Sequence, residues 1–339
     1  MSAASHFNQT SQPPSVTADG TPAPTVLVTG ANGLVGQALC RELAGQGFAV
    51  QAAVREPEAF APIAGVSVVQ APDLEDTQAQ WPLAGVDVVV HTAARVHVMN
   101  PAPDEIDRFA AVNRDGSARL AHACAQTGVK RLVFLSTIKV NGEHTEDGHA
   151  FAATDPVVAP TDPYALSKYE AERKLFDIAK ASALQVVVVR SPLVYGPGAR
   201  GNLELLERAI RRGVPLPIGS LDSNHRSLVS LANLVDLLVR CAIHPRAAGE
   251  VFLASDGDDL STLELARHIA KACHLPLRFL PMSARLLNVA ARALGKDDMM
   301  RRLTQNLQVD ISATCETLDW HPPQTVAQGM SAAFAESEA

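Results

Sequence analysis

The sequence predicts a doubly wound α/β fold, a parallel sheet covered on both faces by helices. Two observations carry that reading. From Thr25 onward, short β-branched runs such as "TVLVTG", "VDVVVHTAA", "RLVFLS" and "LQVVVVR" alternate with amphipathic helical stretches. Strands buried on both faces show this nearly continuous apolar character, not strict alternation. The second observation is a Gly-rich junction between the first strand and first helix, "VLVTGANGLVGQALCREL", where such folds bind anions.

Taken in order, "TVLVTG" predicts the first strand and "LVGQALCRELAGQG" the first helix, with "FAVQAAVR", "VSVVQ" and "VDVVVHTAA" as the next three strands. A long helical stretch follows around "IDRFAAVNRDGSARLAHACAQTG", then the strand "RLVFLS", a helix opening in "TDPYALSKYEAERKLF" and the strand "LQVVVVR". After Arg190 the rhythm changes to Pro/Gly-punctuated pieces, "SPLVYGPGARGN" and "RRGVPLPIGS". Residues 25–190 therefore read as the dinucleotide-binding part. Residues 191–339 read as a smaller, mainly substrate-binding α/β part packed at the strand ends, where such folds place ligands. Residues 1–24, polar and rich in Pro, Ser and Thr with neither a basic start nor an apolar stretch, read as a disordered tail.

Composition narrows the function classes. With 47% hydrophobic and 19% charged residues in 339, the chain has ordinary globular character. A formal charge of −7 gives no broad basic field and argues against a nucleic-acid partner. No apolar run is long enough to predict a membrane span. The cysteines Cys40, Cys124, Cys241, Cys273 and Cys315 are scattered and lack C-x-x-C spacing, which fits a reducing cytoplasm and not a disulfide framework. His97, His144, His149 and His225 have no paired ligand spacing, so no metal site is expected.

Chemistry concentrates at four places. Gly30, Gly33 and Gly36 suit a tight turn, close approach to a pyrophosphate and close helix–strand packing, and the loop and helix start around them, Asn32, Leu34 and Val35, offer N–H donors. The second strand ends in Arg55 with Glu56 beside it. An acidic residue there accepts from an adenosine ribose, whereas an arginine accommodates a 2′-phosphate, so Arg55 favours NADP, with NAD as the alternative. The strand "RLVFLST" ends in two hydroxyls, Ser136 and Thr137, on the edge that faces the cofactor crevice; a strand-end cap is the competing explanation for both. Tyr164 and Lys168, four apart, share one helical face, where the phenol could exchange a proton and the lysine favour the tyrosinate.

Together these segments resemble the extended short-chain dehydrogenase/reductase family, specifically its nucleotide-sugar epimerases, dehydratases and 4-ketoreductases. The match runs in order through "TGANGLVG", "APDLED", "VVVHTAAR", "FAAVNRDGSARLAHAC", "FLSTIKVNGE", "DPYALSKYEAE", "RSPLVYGPG" and "NHRSLVSLANLVD". The resemblance implies a Rossmann-type fold, Tyr164 as catalytic acid/base and Lys168 as the ligand of the nicotinamide ribose. It implies Thr137 as the third catalytic hydroxyl with Ser136 beside it, and Asp73 and Leu74 at the adenine. His91, Thr92, Ala93 and Ala94 would lie beneath the cofactor, Asn113 would support the active site, and Asn202 and Arg226 would bind the substrate diphosphate. A homodimer through a helix bundle is also implied.

Two departures matter. Pro192 and Leu193 replace an asparagine common in the family's epimerases, and the acidic ribose ligand of the second strand is missing. They tip the reading toward a UDP-hexose or UDP-N-acetylhexosamine 4-ketoreductase, with a 4-epimerase that keeps NAD bound as the alternative. Ile138 and Lys139 after Thr137 speak against a dehydratase. A carbonyl reductase for non-sugar substrates and a non-catalytic dinucleotide sensor stay as further readings; retention of Tyr164 and Lys168 counts against the sensor.

Overall fold

A computed structural model describes residues 23–78, 80–96, 105–199, 201–280, 282 and 297–335. The expected tail, apart from Ala23 and Pro24, and His97 lie outside the described residues. Strands β1 (Thr25–Thr29), β2 (Ala49–Val54), β3 (Val66–Gln70), β4 (Val88–His91), β5 (Arg131–Thr137), β6 (Gln185–Ser191) and β9 (Val251–Leu253) form a seven-stranded sheet in the order β3-β2-β1-β4-β5-β6-β9. All pairs are parallel, with Val26 opposite both Val50 and Val88, and Thr137 opposite Ser191. The order reverses between β1 and β4, and the crevice at the carboxyl ends of those strands is where open α/β sheets bind ligands.

Strand alternation divides the core. Val26, Val28, Val90, Val187 and Val189 face one way, against Leu39 and Leu43 of α1 (Leu34–Gly45) and Leu234, Leu237 and Leu238 of α6 (Leu231–Ile243). Leu27, Val89, Leu132, Phe134 and Val188 face the other, against Leu120 of α3 (Ser117–Thr127) and Leu175 of α4 (Pro163–Lys180). Each fully buried aliphatic side chain contributes about 1.5–3 kcal/mol, so both layers are needed to hold the strand ends in place.

The structure redraws the boundary at residue 190. Both α6 and β9 lie beyond it in the chain, yet α6 packs beside α1 and β9 completes the sheet next to β6. The Pro/Gly-rich pieces mark an excursion from the strand ends, not the end of the sheet, and a three-residue strand such as β9 is too short to show a period. The long helical stretch is also divided: α2 (Glu105–Phe109) passes through a wider π-helical turn, Ala110–Gly116, into α3.

The excursion holds a second, two-stranded parallel sheet, β7 (Leu193–Tyr195) with β8 (Leu228–Ser230). Beside it stand α5 (Asn202–Arg211), α7 (Thr262–Ala272) and the C-terminal helix Val326–Phe334, around a core that includes Tyr195, Ile210, Leu263, Ile269 and Met330. Single-residue bridges join Thr145 to Asn306, Phe151 to Val309, and Arg226 to both Leu260 and Leu307. Among the described residues no helix is long and apolar enough to cross a membrane.

Candidate active site

Glycine is required where the first turn meets the crevice. Gly30 has φ +68°, and a Cβ there would lie 2.7 Å from the Ala93 nitrogen; one on Gly36 would collide with the Gly30 carbonyl. The Gly33 N–H closes the turn on the Gly30 carbonyl at 2.9 Å. Gly33 is also the N-cap of α1, which has no side-chain cap and no acidic residue in its first turn. The first N–H groups of the helix, from Leu34, Val35 and Gly36, thus remain for an anion, while Asn32 is exposed in the turn. A dinucleotide diphosphate fits this cradle by donor type and by the space the missing Cβ atoms leave.

The opposite wall follows β4. Thr92 donates its hydroxyl to the Thr29 carbonyl at 2.6 Å, and the Ala93 N–H reaches the Thr29 hydroxyl at 3.4 Å, bringing Ala93 against the glycine turn and Ala94 next in the chain. His91 supports this wall from below. Its ring is fully buried, bonded to Thr29 at 2.6 Å and Ser117 at 3.0 Å, and stacked on Phe134. Burial, then the Lys168 charge, pulls its pKa down to about 3, so it is neutral.

Tyr164 and Lys168 are set by a well-capped helix. Asp162 accepts from the Ala165 N–H at 2.8 Å, and Pro163 opens α4, a favoured N-terminal arrangement. Tyr164 is half-buried, edge-on to Phe109 with ring centroids 5.9 Å apart. The Lys168 ammonium is buried 3.9 Å above the Phe134 ring centre. Burial, followed by the Asp162 carboxylate, pushes the Tyr164 phenol up to about 12. Burial pulls Lys168 down to about 7, with Glu172 opposing. Within the chain alone, then, burial and the Asp162 charge make the phenol harder to ionise.

The two strand-end hydroxyls part company. Consecutive strand residues face opposite sides. Ser136 donates to the Glu172 carboxylate inside the protein, a structural use of its hydroxyl. Thr137, at the end of β5, accepts from the Lys139 N–H at 3.4 Å. Its reading as the third hydroxyl stays open to test.

Asn113 sits in the π-helical turn, which turns its side chain inward. It accepts from the Arg95 N–H at 2.8 Å, donates to the Arg95 carbonyl at 2.9 Å and donates to Ser167 at 3.0 Å. Ser167 in turn donates to the Tyr164 carbonyl at 2.7 Å. One side chain thereby joins the segment after β4 to the helix of Tyr164 and Lys168, and a bidentate Arg95–Glu105 pair, at 2.6 and 3.0 Å, braces the same segment.

At the adenine end Arg55 is exposed and lies 3.7 Å from the Asp73 carboxylate. Asp73 also accepts from the Glu75 N–H, and the Leu74 carbonyl is held by Arg119. In the substrate part, Asn202 begins α5 after Gly201 at φ +125°. Arg226 donates to the Gln305 carbonyl at 3.2 Å, and its backbone pairs with Leu260. Arg226 lies two residues before β8, which begins at Leu228, and its backbone also bridges to Leu307.

Sequence reasoning missed Asp162, Ser167, the Arg95–Glu105 brace and the Glu172–Arg190 pair. Two of these carried a local signal: Asp162, an N-cap residue directly before Pro163, and Glu172, an acid four residues after Lys168 on the same helical face.

Comparisons with known proteins agree with this architecture. The model of the NAD dependent epimerase/dehydratase family matches residues 26–254. A UDP-glucose 4-epimerase of Vibrio cholerae is 44% identical over 307 residues, 90% of this chain and 93% of that protein. A 2-alkyl-3-oxoalkanoate reductase of Stenotrophomonas maltophilia is 31% identical over 260 residues, 74% of this chain and 76% of that protein. Among solved structures, MoeE5 in complex with UDP-glucose and NAD superposes with a TM-score of 0.69 at 24% identity, covering 91% and 97% of the two chains; that likeness concerns the fold. The chain belongs to the NAD dependent epimerase/dehydratase family, as the resemblance in its motifs implied.

Proposed function

We propose that this protein is a UDP-hexose 4-epimerase that keeps NAD bound through turnover. The observation that carries the reading is 44% identity across nine-tenths of the chain to a UDP-glucose 4-epimerase. It reverses the preference for a 4-ketoreductase. The preference for NADP also weakens, because the Arg55 guanidinium lies 3.7 Å from the Asp73 carboxylate, and a 2′-phosphate beside Arg55 would meet that negative charge.

Bound NAD supplies a reversible hydride acceptor at its nicotinamide C4. Tyr164 would take the proton of the sugar C4 hydroxyl as that carbon is oxidised, and return it to the same oxygen when the carbon is reduced on its other face. Thr137 binds that oxygen, Lys168 holds the nicotinamide ribose, and Asn113 fixes the helix that presents Tyr164 and Lys168. Asn202 and Arg226 bind the UDP diphosphate, which must keep its grip while the keto sugar turns over.

The test is interconversion of UDP-glucose and UDP-galactose by protein to which no cofactor is added. Interconversion is expected. A strict requirement for NADPH and a 4-keto sugar would return the ketoreductase to first place.

A further inference from the structure

Behind Lys168 lies a buried polar cluster that the proposed reaction does not use. Glu172 stands one helical turn beyond Lys168, and both are almost wholly buried. Arg190 of β6 binds the Glu172 carboxylate through Nε at 3.1 and 3.2 Å and through Nη2 at 2.6 Å, and Ser136 of β5 donates to it as well. Arg190 further donates to Asn141 at 3.0 Å, and Asn141 holds the Ala152 carbonyl.

The charge arrangement is specific. Lys168 and Arg190 are two buried cations with Glu172 bound to one and a helical turn from the other. Without the carboxylate, neither would have a buried anion, and burial would drive the more easily deprotonated of the two, the lysine, toward its neutral form. Of the groups shown beside Lys168 among the described residues, His91 from β4 is neutral and Phe134 from β5 presents only a ring face, while burial makes the Tyr164 phenol on the same helix harder to ionise.

We propose that Glu172 is the counter-charge that keeps Lys168 an ammonium for the nicotinamide ribose, with Arg190 and Ser136 holding the carboxylate in place. Glu172 is a positioning residue, touching neither sugar nor cofactor. The proposal rests on the reading of Lys168 as the ribose ligand but not on the identity of the sugar. Ser136, expected at the crevice, belongs to this support.

The test is NADH binding followed by fluorescence from pH 6 to pH 10 in the wild type, Glu172→Gln and Glu172→Asp, after removal of any retained nucleotide. Wild-type affinity is expected to fall as pH rises through the Lys168 titration. Glu172→Gln should move that midpoint down by about one pH unit or more, so that binding weakens roughly tenfold in the window between the two midpoints. Glu172→Asp, which keeps the charge, should leave it within about 0.3 unit. A Glu172→Gln protein whose affinity drops equally at every pH, with its midpoint unmoved, would overturn the proposal. Where that variant yields no folded protein, Glu172→Asp decides: a midpoint displaced by a full unit contradicts the counter-charge, and an unmoved one supports it. Wild-type protein that binds no NADH at any pH would overturn this proposal together with the reading of Lys168, which a shift confined to the variants would not.

Discussion

The two ends of the candidate site are built differently. The cofactor side is backbone and buried side chains: a glycine turn pressed against Ala93, a fully buried His91, and a lysine sealed over Phe134. The sugar side is assembled from an excursion of the chain, with Arg226 held by the Gln305 carbonyl and the loop after β5 tied down through single bridges at Thr145 and Phe151. A backbone cradle in close contact transmits any change in shape, whereas side chains presented from surface loops tolerate variation. Substitutions on the first side should therefore abolish function, and those on the second should change substrate affinity and leave the cofactor in place.

The largest expected effect is at the reacting oxygen. Tyr164→Phe should lower kcat by about 10²–10⁴-fold with NADH binding retained, as measured by steady-state rates beside fluorescence titration. Next comes the glycine turn. Gly30→Ala introduces a side chain at positive φ and into the Ala93 backbone, costing on the order of 1–3 kcal/mol of strain before any clash is counted, and should eliminate dinucleotide binding in the same titration.

Lys168 offers a sharper test, because its role and its stability cost point in opposite directions. Burial lowers its pKa from 10.5 to about 7. A folded-state value below the unfolded one penalises the ammonium. The penalty is complete below pH 7, and it is relieved as pH rises from 7 toward 10.5 because only the unfolded chain then keeps the proton. Lys168→Met removes that titration, so its stability relative to the wild type should decline as pH rises from 7 toward 10 in thermal denaturation of the cofactor-free protein, while NADH binding weakens.

On the sugar side, Arg226→Ala should raise KM for UDP-glucose by about 10–100-fold through loss of a charge-assisted contact of roughly 1.5–3 kcal/mol, leaving cofactor content unchanged. Arg55→Ala is the smallest effect. Its pair with Asp73 is exposed and contributes no more than about 1 kcal/mol, so NAD affinity should change by less than about fivefold.

What the sequence disclosed follows the same division. The glycine turn and the Tyr164–Lys168 pair were legible because the spacing of neighbours in one chain segment fixes them. The parallel sheet was legible because both faces are buried, which leaves continuous apolar runs such as "VVVV" in β6. The different partners of Ser136 and Thr137, the Glu172 carboxylate and the Lys139 N–H, were not legible because two adjacent hydroxyls give no sign of which face each takes. Glu172 and Arg190 meet across a helix and a strand 18 residues apart, and no local period announces such a contact. The boundary at residue 190 was misplaced because the chain leaves the sheet and returns through a strand of three residues.

The most direct measurement is the nucleotide content of protein purified without added cofactor, released by denaturation and identified by mass spectrometry. A 4-epimerase that recycles its hydride in place predicts close to one NAD(H) per chain. An empty protein that then binds NADPH more tightly than NADH would contradict it.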